Sequence, residues 1–272
     1  MKTSVLMSVY RNDDPAFLKV ALESIYEQQT LKPNEIVIVF DGALTDELYT
    51  VLYEFQKGKE SVVIFHPLET NMGLGNALRI GSQKCSGDYI FRMDSDDISL
   101  PDRFQKQIDY MNENPDVDVV GSNIGEFFDN PNEEIRVRAC PSEHKDIVNM
   151  AKKRCPMNHV SVCIKRSALE KCGGYETLLL LEDYYLWLKM ITSGCILANI
   201  AEVLVFVRVG NGFHKKRGSK ERIDGWRKLQ EFMLKNHLID RVTATVNMFY
   251  IVVFVYCPSF IKKFVYNKFL RK

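Results

Sequence analysis

The chain has 272 residues, 46% of them hydrophobic, enough for one large folded unit or a domain with an appendage. Its 36 Lys and Arg nearly balance 35 Asp and Glu, and a net charge of +1 argues against a general nucleic-acid binder, which is normally basic overall. The seven cysteines, at 85, 140, 155, 163, 172, 195 and 257, form no CxxC pair and mostly sit in apolar runs, as expected of free thiols in a reducing compartment.

"SVLMSV" predicts a first strand, and the polar "YRNDDP" after it gives no room for the apolar core and cleavage site of a signal peptide, so a cytoplasmic location is expected. Asp14 is placed to cap a helix opening at Pro15, with Phe17, Leu18, Ala21, Leu22 and Ile25 on one face. "EIVIVF" is a second strand, apolar enough to be covered on both faces. Thr45 opens a helix whose inner side is Leu48, Val51, Leu52 and Phe55. "SVVIFH" is a third strand, a helix follows over about 73–84, and "DYIFRM" is a fourth. This alternation predicts an α/β fold with a mostly parallel central sheet and helices on both faces, in which ligands bind beyond the carboxyl ends of the strands. Asp41 and Asp94 follow the second and fourth strands at that edge.

The stretch from about 115 to 172 is less regular. "DVDVVGSNIGEFF" predicts a strand pair and "VSVCIK" a strand that His159 begins. A helix carries "LEDYYLWLKMI", where Tyr184, Leu188 and Ile191 repeat at helical spacing, and another is expected over about 219–236. After Asp240 no acid occurs, whereas Arg241, Lys262, Lys263, Lys268, Arg271 and Lys272 do. "MFYIVVFVYC" is too short to span a bilayer, which needs about 20 residues. "SFIKKFVYNKFLRK" puts Phe260, Ile261, Phe264, Val265 and Phe269 on one helical face and lysines on the other. The expected organisation is a body over 1–240 with C-terminal helices, then a basic amphipathic tail, 241–272, on a membrane surface. The alternative is a helix packed on the body with a solvated basic face.

"YIFRMDSDDISLPDRF" places Asp94, Asp96 and Asp97 immediately after a buried strand. Such crowding points to a hard divalent cation sharing its shell with phosphate. An EF-hand loop is excluded by Ile98 and Ser99, and an aspartyl phosphatase would carry its acids after the first strand. Ser99 and Asp102 are expected to form a capping box around Pro101. In "ETNMGLGNALRIG", Gly73 and Gly75 allow close approach of a phosphate at a helix start, or simply a turn, and Arg79 can reach a phosphate or solvent. In "LLLLEDYYLWLKM", Glu182 and Asp183 are either a helix-start pair favoured by the dipole or include a general base.

In order along the chain, "SVLMSVY", "VIVFDG", "NMGLGNA", "MDSDD" and "LEDYYLWLK" resemble the family 2 glycosyltransferases, inverting enzymes of the GT-A fold. "NHVSVCIKRSALEKCGGY" and "VFVRVGNGFHKKRG" are similar to segments of bacterial members that build O-antigen or exopolysaccharide repeat units. The resemblance implies a GT-A transferase moving a hexose, glucose or galactose, from a UDP-sugar, with Mn²⁺ or Mg²⁺ as cofactor, to form a β-linkage. It implies that Tyr10, Asp41, Asn71, Gly73, Arg79, Asp94 and Arg208 bind the donor, that Asp96 ligates the metal, and that Asp183 is the base. His214 is a further candidate metal ligand, with a solvated loop histidine as the alternative; Arg208, Lys216 and Arg217 can instead close over the diphosphate. Glu182, His159 and Trp187 are candidates for the acceptor side, against a structural histidine and a core tryptophan. The implied acceptor is a sugar on undecaprenyl diphosphate at the cytoplasmic face of the inner membrane. Rival readings are a nucleotidyltransferase, which would need a glycine-rich loop after the first strand, and a sugar-nucleotide sensor, which would need no base.

Overall fold

The computed structural model describes residues 1–128, 130, 131, 135–178, 180–209 and 221–256. His214, Lys216, Arg217 and the tail from 257 onward, with its expected basic face, lie outside the described residues. The first half alternates as predicted: β1 (Thr3–Val9), α1 (Pro15–Ile25), β2 (Glu35–Phe40), α2 (Asp46–Gln56), β3 (Val63–Pro67), α3 (Leu74–Ser82) and β4 (Tyr89–Met93). Then come β5 (Ile98–Ser99), α4 (Arg103–Glu113), β6 (Val119–Phe127), β7 (Arg136–Arg138), α5 (His144–Ala151), β8 (Cys163–Lys165), α6 (Arg166–Lys171), α7 (Glu182–Thr192), β9 (Leu197–Arg208), α8 (Glu221–Lys235) and α9 (Arg241–Tyr256).

The strands form one mixed sheet in the order β3-β2-β1-β4-β8-β6-β9-β5, with β7 paired to β6. The four strands β3-β2-β1-β4 are parallel, which brings the carboxyl ends of β1, β2 and β4 to one edge. Val5, Met7 and Val9 of β1 face a layer containing Leu18, Leu22, Leu48, Leu52 and Phe104. Leu6 faces the opposite layer with Ala77, Leu78, Leu186 and Trp187. Two covered faces explain why β1 and β2 are apolar without alternating.

Asp14 caps α1 by accepting from the N–H groups of Ala16 and Phe17, and Thr45 caps α2 through Leu48. The expected capping box at α4 does not form. Asp102 makes no side-chain cap bond and instead pairs with Lys106 at 2.7 Å, while Ser99 lies in β5 and donates its N–H to the Ser24 hydroxyl. Two other expectations are corrected in the middle of the chain. "DVDVVGSNIGEFF" yields one long strand, β6, rather than a pair, because β9 runs parallel to it along its whole length. His159 does not begin a strand: residues His159–Ser161 form a 3-10 turn, and only Cys163–Lys165 joins the sheet. Here side chains replace the ladder. The Ser161 hydroxyl accepts from the Ser122 N–H at 3.0 Å, and Asn158 Nδ2 donates to the Ser122 carbonyl at 2.9 Å.

The two halves of the sheet are joined by buried polar side chains of α4. Arg103 Nη2 donates to the Arg92 carbonyl at 2.8 Å, and its Nε to Gln107 Oε1 at 3.1 Å. Gln107 Nε2 in turn donates to the carbonyls of Val120 and Ser161 at 2.9 and 2.8 Å. Burial lowers the Arg103 guanidinium to about 9, with the charge of Arg92 adding to this and those of Cys163 and Asp97 opposing it. Replacing Gln107 by Ala strands two buried carbonyls and the Arg103 Nε. Gln107→Ala is therefore expected to cost about 2–4 kcal/mol of unfolding free energy, measured by urea denaturation.

Candidate active site

At the end of β4 the buried side chain of Arg92 reaches Asp94, its Nη2 2.5 Å from Asp94 Oδ1. Asp94 is 39% exposed, so the pair runs from the core to the surface. A residue not anticipated from the sequence joins it: Asp13, in the loop from β1 to α1, accepts from the Tyr10 N–H at 3.1 Å and the Ser95 hydroxyl at 2.8 Å. Asp13 is raised to about 6, first by burial, with Asp94 adding to it. Asp96 keeps an exposed surface yet is crowded by protein on its other sides. That loss of solvation, then the charges of Asp94 and Asp13, raises it also to about 6. Tyr10 lies in the same group, its phenol raised by burial and then by Asp13 and Asp96. Asp97 is the buried member: its Oδ1 accepts the Arg208 N–H at 2.9 Å, and burial, then Asp94 and Asp96, push its carboxyl well up. The Arg208 guanidinium rests over Phe17 and Phe127, 3.7 and 4.6 Å from their ring centroids.

On the neighbouring strand Asp41 organises the loop before α3. Its two oxygens accept from the N–H groups of Met72 and Gly73 at 2.6 and 3.0 Å, and its carbonyl from Asn71 Nδ2 at 3.2 Å. Gly42 permits this approach: it holds φ +85°, and a Cβ there would lie 2.7 Å from the Asn71 nitrogen. Gly75 is not left open to a ligand, as its position suggested. A Cβ on it would meet Glu182 Cγ at 2.6 Å, so the gap is filled by the chain itself and joins the starts of α3 and α7. Arg79 is half-buried on α3 and makes no ion pair among the described residues.

At the start of α7, Asp183 Oδ1 accepts the Tyr184 N–H at 2.7 Å, and Oδ2 accepts the Cys155 thiol at 3.5 Å. Leu180, just before the helix, holds φ +59°, a left-handed conformation that costs a side-chain residue roughly 1–2 kcal/mol. Glu182 is half-buried and raised, first by burial, with the charge of Asp183 adding to it. His159 Nε2 meets the Tyr175 hydroxyl at 2.9 Å. Burial holds the imidazole well below its usual range, with the Arg92 charge adding to the effect. Trp187 is fully enclosed and packs edge-on against His159, so its ring presents no face to a sugar. Burial raises the Tyr175 phenol, with the charge of Arg92 opposing this and that of Asp183 adding to it.

The donor set of the cluster is entirely oxygen, the choice of a hard cation. The described residues contain no ready-made cage of three or more His, Cys, Asp or Glu ligands. An open pair of carboxylates fits Mg²⁺ or Mn²⁺, which normally keep phosphate oxygens and water in their shell. The cleft of about 280 Å³ between α1 and α2, lined by Lys19, Glu23, Glu54 and Lys59, contains none of these residues.

A mixed α/β sheet carrying acids beyond β4 and a second acidic motif at the head of a later helix defines a GT-A-type sugar transferase. Residues 4–173 match the model of glycosyl transferase family 2, and the chain belongs to that family. It is 35% identical over 271 residues to an Escherichia coli UDP-Gal:alpha-D-GlcNAc-diphosphoundecaprenol beta-1,3-galactosyltransferase, covering 100% of this chain and 97% of that protein. It is 39% identical over 214 residues to the amylovoran biosynthesis glycosyltransferase AmsE of Erwinia amylovora, covering 79% of each. Among solved structures, Staphylococcus aureus TarS 1–349 superposes with a TM-score of 0.70 at 14% identity, covering 100% of this chain and 76% of that one, and supports the fold alone.

Because Asp96 is raised, its charged form is disfavoured in the folded protein, a penalty absent below the unfolded value near 3.8 and growing as pH rises through about 6. Without divalent cation, Asp96→Asn is therefore expected to raise the thermal midpoint more at pH 7.5 than at pH 4.5. Calorimetry at the two pH values checks this, and 5 mM Mn²⁺ should erase the advantage (about 5 mM is ample for a weak carboxylate site).

Proposed function

We propose that this chain is an inverting, metal-assisted hexosyltransferase that moves a hexose from a UDP-sugar to a sugar carried on a lipid diphosphate, such as undecaprenyl diphosphate. The product is a β-linked intermediate of O-antigen or exopolysaccharide synthesis. The observation that carries the reading is the pair of acidic motifs: Asp94 and Asp96, gathered with Asp13 and Arg92 beyond the end of β4, and Glu182 and Asp183 at the start of α7. The E. coli relative, matched over the full length of this chain, supports the donor and acceptor classes.

In this reading Asp94, held by Arg92, contacts the nucleotide's ribose, and Asp96 is the residue that would hold Mn²⁺ or Mg²⁺. Such a cation, when bound, would supply positive charge to offset the negative charge developing on the departing diphosphate. Tyr10, Asp41, Asn71 and Gly73 shape the ledge for the nucleotide, and Arg79 faces it from α3. Asp183 removes the proton from the acceptor hydroxyl as that oxygen attacks the anomeric carbon from the face opposite the leaving group. The Cys155 thiol and the Tyr184 N–H each occupy one acceptor site on Asp183, which fixes its rotamer and leaves lone pairs for the hydroxyl. Glu182 and His159 stand on the acceptor side as supports.

The protein works at the cytoplasmic membrane surface. α9 presents Val242, Val246, Phe249, Tyr250, Val253 and Tyr256 at helical spacing, and Val242, Phe249 and Tyr250 are 71%, 64% and 66% exposed. Lys152, Lys153 and His237 line the adjoining cleft, a charge pattern suited to anionic lipid. No described helix is long and apolar enough to cross a membrane.

Two measurements test this. Asp183→Asn should bind UDP as the native chain does while kcat falls roughly 10²–10⁴-fold, the range for loss of a general base. An unchanged turnover would favour a different base, and a protein with no turnover in either form would favour a sensor. A chain ending at Asn247 should no longer sediment with anionic vesicles; retained sedimentation would remove the membrane role of the tail.

A further inference from the structure

From the placement of one short basic segment, we infer that Lys152, Lys153 and Arg154 form a clamp for the diphosphate of the lipid-linked acceptor. The inference rests on the transfer reaction proposed above and adds to it a binding site for the acceptor's charged group.

The segment "AKKRC" leaves α5 with both ends tied to parts of the proposed reaction path. The Ala151 carbonyl accepts the Tyr184 hydroxyl at 2.6 Å, which bolts the end of α5 to α7, whose first turn carries Asp183. The Lys152 carbonyl accepts Asn247 Nδ2 at 2.8 Å, and Asn247 belongs to α9, with its exposed apolar stripe. Three residues further on, the Cys155 thiol donates to Asp183 Oδ2 at 3.5 Å. The backbone from Lys152 to Cys155 spans at most about 11 Å. Three consecutive cations therefore bridge the carboxylate that takes the acceptor proton and the helix that faces lipid.

An acceptor has the same order of parts. Its sugar hydroxyl must reach Asp183, its lipid lies along α9, and the diphosphate between them crosses residues 152–154. The cations there are free to meet it. Lys153 and Arg154 are exposed and make no ion pair among the described residues, and Lys152 Nζ touches only Asn149 Oδ1, at 3.4 Å. Asp240, the acid lining the neighbouring cleft, has an oxygen committed to the Thr243 N–H at 2.7 Å, capping α9. Arg138 adds positive charge from β7; burial raises the Cys155 thiol, and Arg138 is the charge that opposes this. An arginine beside two lysines suits a diphosphate, since guanidinium binds two oxygens at once and ammonium groups supply point charge.

The test uses the full chain and two synthetic acceptors with the same sugar, one on a short-chain lipid diphosphate and one on a neutral alkyl glycoside. The double variant Lys153→Gln/Arg154→Gln should raise KM for the diphosphate acceptor by about 10–100-fold, the scale of one or two charge-assisted bonds. KM for the neutral acceptor, UDP affinity and the thermal midpoint should stay as in the native chain. The charge reversal Lys153→Glu, at an exposed position, should deepen the same selective loss. Equal losses on both acceptors, or none on either, would overturn the clamp. Binding to phosphatidylglycerol vesicles separates the two phosphate sources: a variant that loses the vesicles but keeps its preference for the diphosphate acceptor marks a headgroup site and also overturns it. A native chain that transfers to the diphosphate acceptor while the variants match it sinks the clamp alone. A native chain that transfers to neither acceptor sinks the transfer reading and the clamp together.

Discussion

The 2.5 Å pair between Arg92 and Asp94 carries the balance of charge on which the site depends. Four carboxylates, Asp13, Asp94, Asp96 and Asp97, gather where β1 and β4 end, and three of them have raised carboxyls. Arg92 brings a cation to them through the interior of a strand that the protein otherwise keeps apolar. Nε and Nη1 of Arg92 are buried without hydrogen-bond partners among the described residues, a desolvation cost of about 1–3 kcal/mol for each group. A fold optimised only for stability would place an apolar residue there. The arrangement makes sense when the carboxylates must stay together and partly charged for a ligand to find them.

Around that pair the chain uses hydrogen bonds from its own backbone to hold each loop. Asp41 ties residues 71–73 to the end of β2, Asp97 ties the end of β9 to the acid cluster, and Asp183 is held from Tyr184 and Cys155. Each carboxylate spends one or two acceptor sites on structure and retains others for chemistry. This dual use separates Asp97 from its neighbours. It is buried against β9, whereas Asp94 and Asp96 reach solvent, so the run "DSDD" divides into two outward acids and one inward anchor.

The middle of the chain shows why pattern alone falls short. "VSVCIK" has the composition of a strand, but Asn158 and Ser161 supply side-chain bonds to Ser122 that replace the ladder, leaving His159 in a 3-10 turn. The box expected from Ser99 and Asp102 failed for a similar reason, since Ser99 is taken up by β5 and its contact with Ser24. Gly75 resembled a phosphate cradle, and Trp187 a sugar platform. Long-range packing closed both, by Glu182 in one case and by the layer behind β1 in the other. Two participants carried local signals that were open to reading: Arg92 is a lone charge inside an apolar strand beside the acids, and Asp13 sits in a polar loop directly after β1.

The sequence by itself determined the parallel half of the sheet, the caps of α1 and α2, the family, and the edge where Asp41 and Asp94 emerge. These follow from periodicity, capping chemistry and short motifs, all of which act over a few residues. Tertiary structure alone decided that Asp13 joins Asp94 and Asp96, that Cys155 touches Asp183, that Gly75 is filled by Glu182, and that a basic turn lies between the head of α7 and the apolar face of α9. Each joins residues 28 or more positions apart, with Asp13 and Ser95 separated by 82 and Lys152 and Asn247 by 95. Contacts of that span depend on how whole layers pack, which no local pattern in the chain encodes.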